Sequence, residues 1–100
     1  RGVNVFPSQI ESVLVGMEHI GPHYQIIVTK KGFMDAIEVL VELVDGSLLE
    51  SFSELEKLEN KIRHKMKTTL QIDAKIRLVE PKTIERSLGK AKRVIDLRNN

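Results

Sequence analysis

The residue best suited to chemistry is Lys90, set directly after Gly89 in the stretch Pro81 to Asp96, P-K-T-I-E-R-S-L-G-K-A-K-R-V-I-D. A glycine lets the backbone approach a second surface closely, and the Ser87-Leu88-Gly89 turn before the lysine allows the chain to deliver one ammonium to a point. The chemistry open to such a group is stabilisation of an anion, most simply a phosphate. From Pro81 to Asn100 six Lys or Arg stand against Glu85 and Asp96, whereas the whole chain carries a net charge of only +2. A local basic excess of this kind fits an anionic partner, and equally a solvated tail. By itself a Gly-Lys pair falls far short of a Walker motif, so the stretch defines a basic segment of unknown target.

The remaining reactive residues form no comparable constellation. His19, His23 and His64 lack the spacing of a zinc site and there is no cysteine to complete one, so no metal is expected. Neither a Ser-His-Asp pattern nor Gly-x-Ser-x-Gly is present, which removes support for nucleophilic catalysis by this chain alone. Glu54, Glu56 and Glu59 fall early in a predicted helix, where they complement the positive end of its dipole. Met17, Met34 and Met66 read as packing or loop residues.

The elements that must position Lys90 follow from periodicity. Pro7 marks a helix start with Ser8 and Glu11 as a capping box, and Ile10, Val13, Leu14 and Met17 share one face of a helix over Ser8 to Val15. Gly16 and Gly21-Pro22 mark its end. Tyr24 to Lys30 is rich in β-formers, Lys31 to Asp35 is a connection of hairpin length, and Ala36 to Val44 alternates with Ile37, Val39, Val41 and Leu43 on one face. These two strands should pair antiparallel, with Asp45-Gly46 at the exit. Ser53 and Glu56 suggest a second capping box, and Leu55, Leu58, Ile62 and Met66 define a helix over Glu54 to Thr69, with Glu59 and Arg63 as a supporting pair. Ile72, Ala74, Ile76 and Leu78 then alternate in a third strand ending at Glu80-Pro81. Gly2 to Val5 is a candidate extra strand in front.

The order helix, strand, strand, helix, strand predicts an α+β two-layer sandwich, a small antiparallel or mixed sheet with both helices on one face and a ferredoxin-like arrangement as one option. One hundred residues suit a single small domain, and 41% hydrophobic with 30% charged residues fits a globular chain rather than a disordered or fibrous one. No internal repeat or low-complexity segment interrupts it. No apolar run approaches the roughly 18 to 20 residues of a membrane span. The lack of cysteine and of a charged leader before an apolar core makes a cytoplasmic setting the default expectation. With no tryptophan and only 4% aromatic residues, nucleic-acid stacking has no platform.

Both termini carry a resemblance. Arg1-Gly2-Val3-Asn4-Val5-Phe6-Pro7-Ser8-Gln9-Ile10-Glu11 resembles the segment just after the interdomain hinge in phenylacetate coenzyme A ligases, of the acyl-adenylate-forming superfamily. Glu80 to Val94 resembles the closing motif of the same family, and Pro22-His23-Tyr24-Gln25 between them is similar to it as well. The likeness covers essentially the whole chain in the right order, and the abrupt opening at Arg1 agrees with a domain cut from a longer protein.

The resemblance implies that residues 1–100 are the C-terminal lid domain of a ligase that joins an aryl acid to ATP, releases pyrophosphate, and then transfers the acyl group to coenzyme A. Lys90 matches the family's adenylation lysine, with Arg86, Ser87 and Gly89 as helpers around it. Gly2, Val3 and Asn4 match the loop that lines the pantetheine channel in the thioester-forming pose. The phosphate loop, the adenine and acyl pockets and a magnesium site would belong to the N-terminal adenylation domain, so the isolated fragment is expected to be inactive and to bind ATP weakly. No nucleic acid or membrane partner is implied. The element order alone equally allows a small-molecule-sensing or protein-interaction domain of the βαββαβ type.

Overall fold

A computed structural model describes residues 7–84 and 94–97. In chain order these form α1 (Pro7–Leu14), β1 (Ile20–Lys31), β2 (Met34–Leu43), a short 3-10 helix (Gly46–Glu50), α2 (Phe52–Leu70), β3 (Ala74–Val79) and β4 (Val94–Asp96). The strands make one mixed sheet in the order β3-β2-β1-β4. β1 and β2 are antiparallel, whereas β3 runs parallel to β2 and β4 parallel to β1. The connection through α2 joins neighbouring parallel strands, a plain βαβ unit without the intervening strand of a ferredoxin-like split βαβ.

One apolar cluster explains why the helices lie where they do. Ile10, Val13 and Leu14 of α1 and Ile62 and Met66 of α2 are buried together with Tyr24, Ile26 and Val28 of β1, Ile37, Val39, Val41 and Leu43 of β2, and Ala74, Ile76 and Leu78 of β3. All of the strand residues come from one face of each strand, so both helices cover the same side of the sheet, as the two-layer expectation required. The half-buried Leu55, Leu58 and Leu70 extend the α2 contact along its predicted stripe.

Several local details depart from the sequence reading. α1 already includes Pro7 and Ser8, so Ser8 lies within the first turn and not at a cap, and Glu11 instead accepts a bond from Tyr24. α2 begins at Phe52 with Ser51 as its N-cap, which puts Ser53 inside the helix and dissolves the second capping box. Only Glu54 is in the first turn of α2; Glu59 turns to the sheet edge, where its Oε2 accepts the Leu78 N–H at 3.4 Å. Arg63 therefore pairs with Asp73, 3.7 Å away and well exposed, instead of Glu59. β3 starts at Ala74 and leaves Ile72 outside it.

β1 also extends further than its β-formers suggested. Gly21-Pro22 lies inside it, at a bulge between Ile20 and Tyr24 where a proline is tolerated because the ladder is already interrupted. A Cβ at Gly21 would meet the Glu42 carbonyl oxygen at 3.2 Å, so any larger residue there requires β2 to give way by a few tenths of an ångström. At the other end the hairpin is tighter than expected, with Lys31 paired directly to Met34. The α1 helix stops before Gly16, whose φ of 85° reverses the chain. β4 had no counterpart in the sequence reading, and the candidate strand at Gly2 to Val5 lies outside the described residues.

Candidate functional site

The predicted site residues Lys90, Gly2, Val3, Asn4, Arg86, Ser87 and Gly89 all lie outside the described residues. What is described is how the chain is held at the points from which these segments depart: Pro7 on one side, Ile84 and Val94 on the other.

The first hold is Tyr24. Its ring is buried in the core at 2% exposure, and its hydroxyl donates in a bifurcated bond to the Pro7 carbonyl and to Glu11 Oε1, each at 3.1 Å. A β1 residue thus ties down the first turn of α1, directly after residues 1–6. A cleft of about 290 Å³ opens beside it between the end of α1 and the start of β1, lined by Leu14, Val15, Ile20 and Pro22 among others.

The second hold is Glu42. After β3 the chain turns through Glu80-Pro81-Lys82-Thr83, closed by bonds to the Glu80 carbonyl from Thr83 N–H at 3.2 Å and Thr83 Oγ1 at 2.6 Å. Lys82 takes the left-handed conformation at φ 69°, as the third residue of a type II turn must. The turn delivers Ile84 to the sheet face opposite the helices. There its N–H donates to Glu42 Oε2 at 2.8 Å, and both residues are buried.

The third is β4. Val94, Ile95 and Asp96 pair with Ile26, Ile27 and Val28, so the chain rejoins the sheet on the edge opposite β3. Residues 85–93 are therefore bounded by an anchored Ile84 and an anchored Val94. The sequence reading did not single out Glu42, which the structure shows buried and bonded to Ile84 N–H. Its signal was only a polar position in an alternating strand, shared with Glu38, and nothing local marks which of the two is covered.

Asp45 caps the 3-10 helix, and its carboxyl is held below the ordinary aspartate value by bonds from the Ser47 hydroxyl at 2.6 Å and the Ser47 N–H at 2.8 Å. Among the described residues no three His, Asp or Glu side chains gather as a metal site. No helix among them is long and apolar enough to cross a membrane. The described part is a scaffold that fixes the ends of two segments.

Residues 2–98 match the family described as AMP-binding enzyme C-terminal domain, and the chain belongs to that family. It is similar to phenylacetate-coenzyme A ligase of Escherichia coli, with 43% identity over 99% of this chain and 23% of the relative's length. In structure it is similar to a domain of phenylacetate-coenzyme A ligase from Bacteroides vulgatus, with a TM-score of 0.84 and 29% identity, covering 99% of this chain and 90% of that one. It is also similar to part of 2-hydroxyisobutyryl-CoA ligase, solved with 2-HIB-AMP and CoA in the thioesterification state, with a TM-score of 0.80 and 33% identity, covering 93% of this chain and 19% of that one. The chain thus spans less than a quarter of the curated relative's length.

Proposed function

We propose that this chain is the mobile C-terminal domain of an aryl-acid coenzyme A ligase, with phenylacetate as the acid, ATP and coenzyme A as co-substrates, and the N-terminal adenylation domain of the same polypeptide as its partner. The observation that carries the reading is 43% identity to a phenylacetate-coenzyme A ligase across 99% of the chain. A cysteine-free chain suits a cytoplasmic setting.

In the first step a carboxylate oxygen attacks the α-phosphorus of ATP and pyrophosphate leaves. Negative charge gathers on the phosphate, and Lys90 supplies a preplaced ammonium to stabilise it in a site closed to water. Arg86 and Ser87 assist, and Gly89 gives the lysine close access. In the second step the coenzyme A thiol attacks the acyl carbonyl, loses its proton, and displaces AMP; Gly2, Val3 and Asn4 line the channel for its pantetheine arm. Magnesium would sit with the phosphates on the N-terminal domain.

The test uses the full-length ligase. Lys90→Ala should lower ATP–pyrophosphate exchange about a hundred- to a thousand-fold while thioester formation from supplied acyl adenylate is largely retained. Equal loss in both half-reactions would remove the assignment.

A further inference from the structure

We propose that Glu42 is a positioning residue for adenylation: its carboxylate holds the backbone of Ile84, so that the segment bearing Lys90 departs from a fixed point on the sheet. The proposal rests on the reading of Lys90 given above.

The alternation of β2 sends Glu38, Leu40 and Glu42 to the face away from the helices. Glu38 and Leu40 remain half-exposed, whereas Glu42 is 2% exposed, the one charged side chain buried among the described residues. Burying a carboxylate is unfavourable unless hydrogen bonds replace its water. Here the bond from Ile84 N–H, 2.8 Å long, is charge-assisted and of the stronger kind. The Ile84 side chain is itself buried at 5% exposure, and the Glu80–Thr83 turn delivers the backbone to it.

An apolar residue at position 42 could pack just as well without the desolvation cost, so packing alone does not call for an acid there. An acid supplies a charged, directional acceptor for the Ile84 N–H. Lys90 follows Ile84 by six residues, which limits the lysine backbone to within roughly 20 Å of the anchor at full extension. Val94, on β4, bounds the segment from the other side within roughly 14 Å. Releasing Ile84 removes the fixed point from which the chain runs on to Lys90, and a displacement of about 1 Å at the ammonium is enough to slow the step that uses it about a hundred-fold.

The experiment measures both half-reactions of the full-length ligase for Glu42→Ala and Glu42→Gln, with Lys90→Ala in parallel. For Glu42→Ala, kcat of ATP–pyrophosphate exchange should fall about a hundred-fold, with KM for ATP and the thioester step from supplied acyl adenylate both within about two-fold. Glu42→Gln keeps an acceptor oxygen but gives a neutral, weaker bond, and should show a several-fold loss in the same step only. A parallel loss in both half-reactions would reduce Glu42 to a structural residue, and no loss in either would also overturn the proposal. Should Glu42→Ala fail to fold, Glu42→Gln decides by the same criteria. If Lys90→Ala spares adenylation, the reading of Lys90 fails; if it abolishes adenylation while the Glu42 variants do not disturb it, only the present inference fails.

Discussion

Tyr24 and Glu42 hold the chain from opposite faces of the same end of the β1–β2 ladder: Tyr24 pairs with Val41, and Glu42 is the next residue along β2. On the helix side Tyr24 grips Pro7; on the other side Glu42 grips Ile84. Pro7 and Ile84, next to the segments that carry the proposed site residues, are thus held at one end of one sheet by two different hydrogen-bonding side chains.

Tyr24→Phe keeps the ring in the core and deletes only the hydroxyl. The Pro7 carbonyl and Glu11 then lose a donor, which should lower stability by about 1 to 2 kcal/mol. Urea unfolding of the 100-residue chain would measure this as a lower midpoint at an unchanged slope.

Gly2→Val should act as the mirror image of Lys90→Ala. If this loop has the proposed role, a β-branched side chain would obstruct a thin pantetheine arm, so thioester formation from supplied acyl adenylate should fall while ATP–pyrophosphate exchange is retained. Separate assays of the two half-reactions in the full-length ligase would check it, and a loss confined to adenylation would contradict the assignment of this loop.

Ile62 and Met66 are both fully buried where α2 meets the sheet. Ile62→Ala leaves a cavity in a core with no redundancy, and should cost about 2 to 5 kcal/mol. Arg63→Ala, one residue away, breaks only an exposed ion pair and should cost less than about 1 kcal/mol. Thermal unfolding of the two variants side by side would show the contrast.

Asp45 predicts a small acid dependence. Its folded carboxyl titrates below the unfolded one, so its contribution is fully present above the ordinary aspartate value of about 3.9 and fades as pH falls through the lower folded value. Asp45→Ala should therefore flatten the stability profile on the acid side and leave the neutral-to-basic side parallel to the parent. Because the group is exposed the effect is modest, and melting midpoints across the acidic range would detect it.

The amphipathic stripes of this chain were legible in its residues alone, because burial on one face imposes a period that no distant contact can disguise. Ile10, Val13 and Leu14, then Ile62 and Met66, then Ala74, Ile76 and Leu78 all went to the core as their spacing required. The motifs around Lys90 and Gly2 pointed to a family, and the match over residues 2–98 agrees with them. Helix caps and ion pairs were less legible, since Ser53 and Glu59 had partners near in sequence but found their places through the docking of α2 on the sheet. Glu38 and Glu42 are indistinguishable in an alternating strand. Only the return of the chain across the far face of the sheet, bringing Ile84 onto Glu42, separates a solvated carboxylate from a buried anchor.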